Sequence, residues 1–161
     1  MKQRGIKWFF RNYIWNAIQT TIHKFWVFYY LCKFCIKLLW RGVIHDFSKY
    51  GNAESLYFSD VIFDLKKLTY GTPEYKEALN KIRPCLDHHY KVNSHHPEFH
   101  EKGFEEMSAL DRVEMIADWC AAVRRHKNGD IVKSVAINQE RFDYTNADKK
   151  WLTELARAMK P

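Results

Sequence analysis

The spacing of apolar residues is the feature that most constrains the fold. From Trp8 to about Arg41 these residues recur at intervals of three and four, which is the period of a helix face. This segment predicts one long helix or two helices in line. The chain contains neither an alternating strand pattern bounded by turn residues nor an internal repeat. The sequence therefore predicts an all-α fold.

Capping and turn residues divide the rest of the chain into shorter helices. Thr72 and Pro73 are typical of a helix start, Ser108 with Asp111 forms a variant of the capping box, and the Asn-Gly pair at 128–129 indicates a helix end. About six helices are predicted, at roughly 8–41, 52–68, 73–90, 108–126, 130–144 and 146–159. A chain of 161 residues has the length of one domain, so we predict a single helical bundle over residues 1–161.

The phase of the predicted helices indicates which side chains face the core. In the third helix the apolar period continues to His89, so we expect His89 to point inward, His88 to point aside, and a kink at Pro84. The aromatic residues of the first helix are expected in the core, because they recur at helical spacing. Five residues of the second helix are expected to face the core: Leu56, Ser59, Ile62, Phe63 and Leu65.

The positive charge is concentrated near the N-terminus. The chain has a net charge of +7, and residues 1–49 contain nine Lys or Arg but a single acid, Asp46. Such a segment favours phosphorylated small molecules, nucleic acid or an anionic membrane surface, and a solvated basic helix face is equally compatible with it. Because the aromatic residues follow a helix rather than a sheet, no stable complex with nucleic acid is expected.

The apolar stretch at 25–36 is too short to span a membrane. Extending it to the about 20 residues of a span would bring in Lys37 and Arg41, whose burial in lipid is costly. We therefore expect no membrane span, with peripheral membrane contact around Trp8, Phe9, Phe10 and Trp15 as an alternative.

The cysteines favour a reducing compartment. The four cysteines lack the paired spacing of a zinc ribbon, and no secretory leader is visible, so reduced thiols and a cytoplasmic location are expected. Cys32 and Cys35 share one helix face, which favours packing over redox chemistry.

Histidine is unusually dense in one short stretch of the chain. Five of the eight histidines fall within thirteen residues: His88, His89, His95, His96 and His100. An adjacent His-Asp pair, His45 and Asp46, follows the first predicted helix. Imidazoles and carboxylates are the donors that suit Zn, Fe, Mn or Ni, so these residues indicate a metal centre rather than a thiolate site.

The order of these residues resembles the ligand pattern of the HD-domain superfamily of metal-dependent phosphohydrolases. HDFSK at 45–49 resembles the HDxGK of HD-GYP phosphodiesterases, HHPE at 95–98 resembles their HHE, and EMIADWCAAV at 114–123 resembles the helix that carries their last Asp. The Gly-Tyr-Pro element is missing. The combination HDxSK, HxxxNxHHP and EMxxDW also resembles a family of unassigned activity found in phages and bacteria. These likenesses cover about residues 23–119 and imply an HD-like fold whose metal-site core lies there.

The HD-domain resemblance implies a set of metal ligands and one or two divalent transition metal ions (Fe, Mn, Ni or Zn). Around one ion it implies His23, His45, Asp46 and Asp118, and around another His89 with one or both of His95 and His96. Asp46 would bridge the two ions. The helical phase supports His89 independently.

Further residues are candidates for contacts around this site. We predict Asp46 and Lys49 as catalytic residues, and the predicted substrate contacts are Lys49, Lys91, Asn93 and Arg112. Glu114 lies one turn before Asp118 and is expected either to orient a ligand or to remain solvated. For the lysines and arginines, an exposed helix face is the alternative. His88, His100 and His126 are assigned to the surface.

The function implied by the resemblance is metal-dependent hydrolysis of a phosphoester, with a nucleotide or cyclic nucleotide as substrate. We therefore predict an enzyme acting in the cytoplasm of a bacterial cell or a phage-infected host. Two alternatives remain open at this point: an HD-type mixed-valence di-iron oxygenase, and a non-enzymatic nucleotide-binding accessory protein of a phage. The sequence does not indicate the oligomeric state.

Overall fold

The structure, a computed structural model, describes residues 5–69, 71–125 and 129–159, with Phe9 described by its backbone alone. Within these ranges the regular elements are helices and there is no strand, which confirms the all-α prediction. A single turn, α1 (Ile6–Trp8), and a π-helical segment, Phe9–Ile14, precede seven longer helices. These are α2 (Trp15–Ile44), α3 (Ser55–Lys67), α4 (Pro73–Asn80), α5 (Arg83–Val92), α6 (Ala109–Val123), α7 (Ile131–Phe142) and α8 (Asn146–Met159).

The chain divides into two compact units, Met1–Val43 and Ile44–Pro161. The first unit contains nearly all of α2, and no residue of α2 is buried. The expectation that its aromatic residues form core is therefore wrong. Helical spacing specifies which side chains share a face, but it does not specify what covers that face. No helix among the described residues has the length and hydropathy needed to cross a membrane.

Helix starts follow the predicted caps. The Thr72 hydroxyl accepts a hydrogen bond from the backbone N–H of Tyr75, and Ser108 with Asp111 forms a complete capping box. These two predictions are confirmed. The fourth predicted helix corresponds to α6, and its predicted end at 126–128 lies outside the described residues.

The segment predicted as one kinked helix is two helices. α4 ends at Asn80, and α5 begins at Arg83 with Pro84 in its first turn, where the missing N–H of proline costs no helical hydrogen bond. This break gives seven longer helices instead of six. The predicted phase is confirmed, because His89 is buried whereas His88 is only partly covered.

The predicted inner face of the second helix is largely wrong. Val61 of α3 is buried in a cluster with Ile82, Cys85 and Leu86, and Leu65 packs against this cluster. The residues that the structure leaves exposed are Leu56, Ser59, Ile62 and Phe63. α3 carries apolar residues on more than one face, so its period alone did not identify the buried one.

The largest core lies between α6, α7 and α8. Ile116 of α6, Ile131 and Val135 of α7, and Leu152 and Ala156 of α8 are fully buried there. Because this cluster fixes α6 on one side, the opposite side of α6 holds its polar side chains at defined positions.

We expect Leu152→Ala to lower the free energy of unfolding by about 2–5 kcal/mol, because it leaves a cavity in the core between these three helices. Leu56→Ala is the matched control: Leu56 is 70% exposed, so its loss should change stability by less than about 0.5 kcal/mol. Denaturant unfolding monitored by circular dichroism measures both. Equal effects of the two substitutions would contradict this assignment of the core.

Candidate metal centre

The centre of the site is the carboxylate of Asp46, which lies two residues beyond the end of α2. Asp46 has a left-handed backbone (φ 54°), a conformation that Asp tolerates better than most residues and that turns the chain into the 3₁₀ turn Phe47–Tyr50. Its Oδ1 lies 3.3 Å from His89 Nε2 and 3.4 Å from His95 Nε2. Its Oδ2 lies 3.4 Å from His45 Nε2. The two carboxylate oxygens thus face different histidines.

Among the residues that the structure describes, two groups of side chains have the spacing of metal ligands. Donor atoms of Asp46, His89, His95 and His96 lie within 4.8 Å of one another, and so do those of a second group, His45, His95 and Asp118. His95 belongs to both groups. The two groups are therefore continuous rather than separate sites.

Two buried atoms at the centre lack hydrogen-bond partners among the described residues. These are Asp46 Oδ1 and His95 Nε2, which lie 3.4 Å apart without forming a hydrogen bond. An unsatisfied buried polar group costs free energy, more so when it is charged. A divalent cation coordinated by both atoms would remove that cost, and nitrogen and oxygen donors of this kind suit Zn, Fe, Mn or Ni. The residues present therefore fit a metal ion.

The carboxylate of Glu54 orients the imidazole ring of His89 through its Nδ1 atom. This glutamate is fully buried, and its Oε2 accepts a hydrogen bond from His89 Nδ1 at 2.8 Å. It also accepts hydrogen bonds from Ser48 Oγ and His88 Nδ1. With Nδ1 engaged in this way, His89 directs Nε2 toward Asp46. Such a carboxylate–histidine pair is the usual support of an imidazole metal ligand.

Glu114 has the same relation to two other histidines. Its Oε1 lies 2.9 Å from His45 Nδ1 and 3.3 Å from His95 Nδ1, so both rings turn their Nε2 atoms toward Asp46. Asp118 lies one turn further along α6 and approaches His45 Nε2 at 3.5 Å. One face of α6 therefore supplies an orienting carboxylate and a candidate ligand.

The surrounding charged and polar groups shift the pKa values of His45 and Asp46 in opposite directions. Asp118, followed by Asp46 and Glu114, raises the pKa of His45 to about 11. Burial alone would raise the pKa of Asp46, but the facing imidazoles of His45 and two further histidines, together with Lys49, hold it well below its usual range. Without a metal ion the site is thus held together by a protonated imidazole beside an ionised carboxylate.

His95 and His96 differ although they are neighbours in sequence. Burial opposes protonation of His95, but Asp46 and Glu114 outweigh it and raise the pKa of this ring. Burial, reinforced by the nearby imidazoles of His95 and His89, lowers the pKa of His96 to about 2. His96 Nε2 lies 3.0 Å from His89 Nε2. His96 is therefore a neutral imidazole, the form that binds a metal.

An open cavity of about 510 Å³ lies beside the centre. It is lined by Lys49, Tyr50, Ser55, Phe58, Ser59, Ile62 and Phe63. The Lys49 ammonium contacts Asp46 Oδ2 and also lies 5.1 Å from the centroid of the Phe58 ring. Lys49 is thus the residue common to the cavity and the metal centre.

Comparison with known proteins identifies the family. The family model of DUF5662, described as a family of unknown function, matches residues 14–160. The chain belongs to the DUF5662 family. No curated protein and no solved structure matches it. The matched range of this DUF5662 member includes both groups of candidate ligands.

The structure of the DUF5662 member brings together six of the seven predicted ligands: His45, Asp46, His89, His95, His96 and Asp118. Their role as ligands stays a prediction. His23 is exposed on α2, within the unit Met1–Val43, and belongs to neither group of donor atoms. A ligand role for His23 also stays a prediction.

The predicted substrate contacts have different surroundings. Asn93 donates hydrogen bonds to Ser48 Oγ and to the carbonyl of His89, so it braces the centre. Lys91 is exposed. Arg112 donates to the carbonyls of residues 104 and 105 and stacks on a phenylalanine ring at 104. Substrate contact by these residues stays a prediction.

Two supporting residues were not anticipated from the sequence, Glu54 and Ser48. Ser48 connects Asn93 to Glu54 by accepting one hydrogen bond and donating another. Nothing in the sequence distinguishes Glu54 from a solvated acid near a helix start, because its burial arises from the packing of α5 and the turn after Asp46. The orienting role considered for Glu114 agrees with its contacts.

We expect Glu54→Gln to weaken divalent metal binding about 10- to 100-fold, because the amide cannot accept from both His88 and His89 as the carboxylate does. Glu140→Gln, at an exposed position of α7, is the matched control and should bind as the wild type does. Competition with a fluorescent chelator measures both affinities, and thermal unfolding checks the fold. Equal affinities in a folded Glu54→Gln variant would contradict the orienting role.

Metal binding near neutral pH should release protons, because His45, with a pKa of about 11, holds a proton in the metal-free protein. Asp46 and Glu114 also raise the pKa of His95, which acts in the same direction. We expect the affinity to rise with pH by about tenfold per pH unit for each proton displaced. Calorimetric titrations in buffers of different ionisation enthalpy count these protons. His45→Gln should release about one proton fewer, and a heat independent of buffer would contradict the prediction.

Proposed function

We propose that this protein is a metal-dependent phosphoric ester hydrolase whose centre takes two divalent ions. The observation that carries the proposal is the position of Asp46. Its Oδ1 faces His89 and His95, and its Oδ2 faces His45. A carboxylate with its oxygens divided between two sets of imidazoles is suited to bridging two ions. This arrangement supports the HD-domain resemblance of the sequence.

The proposed ligands divide according to the two groups of donor atoms. Asp46, His89, His95 and His96 would hold one ion, and His45, His95 and Asp118 the other. Asp46 would bridge the two ions, because its Oδ2 faces His45. Bound divalent ions supply Lewis acidity toward phosphoryl oxygens and lower the pKa of a coordinated water. Fe, Mn, Ni and Zn are all compatible with the nitrogen and oxygen donors.

The position of Lys49 supports the proposal that the substrate carries a phosphate group. Its ammonium contacts Asp46 and at the same time lines the adjacent cavity, so a phosphate at the centre would lie within reach of a fixed positive charge. Replacement of the Asp46 contact by a metal ion would free this ammonium for a substrate oxygen. Lys49 would then orient the phosphate group and offset its charge.

The lining of the cavity supports the proposal that the substrate carries an aromatic group. A volume of about 510 Å³ falls in the range of small-molecule sites, and Tyr50, Phe58 and Phe63 provide aromatic surface within it. The hydroxyls of Ser55 and Ser59 add polar groups along the same wall. A nucleotide or cyclic nucleotide combines an aromatic base with a phosphate and is the substrate class we propose.

The decisive experiment assays the metal-loaded protein against a panel of nucleotides, cyclic nucleotides and aryl phosphates. We expect hydrolysis, and we expect Asp46→Asn to lower turnover by about 100-fold or more and to reduce the metal content. Asp64→Asn is the matched control, because its side chain is 68% exposed on α3. His100→Ala should also leave the metal content unchanged.

Three outcomes would contradict the hydrolase. If the metal-loaded protein cleaves no phosphoester on the panel, the proposed reaction is ruled out. Turnover that requires oxygen and iron, with the corresponding optical and EPR signals, would establish the di-iron oxygenase instead. A nucleotide that remains bound through gel filtration and is recovered uncleaved in the presence of metal would establish a binding protein.

A further inference from the structure

We propose that α2 binds an anionic membrane surface by lying in the plane of the lipid headgroups. The proposal is independent of the proposed hydrolase, because it rests on residues of the unit Met1–Val43. α2 has 30 residues, and none of them is buried. At about 1.5 Å per residue, this helix presents an extended surface that the described residues leave exposed.

The charge of this segment has one sign. Between Gly5 and His45 the chain contains six Lys or Arg and no Asp or Glu. Lys33, Lys37 and Arg41 recur every four residues, so they form a basic stripe on one face of α2. Because this segment contains no acidic residue, its net charge is positive and complementary to an anionic surface.

The other faces of α2 are apolar and aromatic. Phe28 is 66% exposed and Leu39 is 72% exposed. A seam of apolar residues spaced by four and three runs along the helix through Ile18, Ile22, Phe25, Tyr29, Cys32, Ile36, Leu39 and Val43. Phe28 and Trp40 lie beside this seam and widen it, and Leu38 lies on a further face of the helix. A basic stripe beside a broad apolar surface containing Trp and Phe is typical of helices in the membrane interface.

Two other occupants fit these features less well. A second copy of the chain could pack along the seam, but it would bring two helices of like charge together with no acidic residue of either segment to pair with them. A nucleic acid would satisfy the basic stripe, but it would leave the apolar surface in water. An anionic bilayer interacts with both the charge and the apolar surface.

The test is flotation of the 161-residue chain with vesicles of phosphatidylcholine, alone or with about one third phosphatidylglycerol. We expect binding to the anionic vesicles, weaker binding to the neutral ones, and a decrease as salt rises. The double variant Lys33→Gln and Lys37→Gln should bind the anionic vesicles about 30-fold more weakly. The pair Lys133→Gln and Lys150→Gln removes the same charge from exposed positions of α7 and α8 and should leave binding unchanged.

A variant of the apolar surface tests the second component. Leu39→Ser should weaken binding to anionic vesicles, whereas Leu56→Ser, at an exposed position of α3, should not. Circular dichroism checks that each variant retains its helices. The proposal is overturned by equal binding to neutral and anionic vesicles, or by equal effects of the two lysine pairs. It is also overturned if the protein dimerises through α2 or retards nucleic acid while binding no vesicle.

Discussion

The candidate metal centre depends on compensation of the charge of one partly buried carboxylate, that of Asp46. A carboxylate removed from water without partners is strongly destabilising, and Asp46 is accompanied by three imidazoles and one ammonium. These partners come from the end of α2, the turn that follows it, α5 and the loop before α6. Attraction to one negative charge therefore holds together parts of the chain that are far apart in sequence. The Oδ1 atom has no hydrogen-bond partner among the described residues, and a cation there would complete this compensation.

Two further carboxylates give the histidines their direction. Glu54 and Glu114 each engage Nδ1 atoms and leave Nε2 atoms facing Asp46. Their positions follow from ordinary helix physics. The capping box of Ser108 fixes where α6 begins, and the helical repeat then places Glu114 and Asp118 on one face. The cap and the packing of α6 against α7 and α8 together determine which of its residues reach the centre.

Features that depend on local chemistry were accessible from the sequence, and features that depend on packing were not. Caps at Thr72 and Ser108 and the inward phase of His89 were predictable because each is set by neighbouring residues. The burial of Glu54 and the exposure of Phe63 were not, because both depend on which helices approach α3. The exposure of α2 was missed for the same reason, since an apolar period describes a surface without indicating its partner.

The turn after α2 explains why the clearest signal in the sequence was a five-residue motif. The left-handed backbone at Asp46 allows the 3₁₀ turn to follow at once, so that His45, Asp46, Ser48 and Lys49 all project from one short segment. Within this turn the Lys49 ammonium contacts the carboxylate of Asp46, and the Ser48 hydroxyl donates a hydrogen bond to Glu54. A rigid segment that holds a candidate ligand pair, a supporting hydroxyl and a cation requires its residues to be close in sequence. The remaining donors come from α5, the loop before α6 and α6 itself. They are therefore distributed along the chain, and in the sequence only their order identifies them.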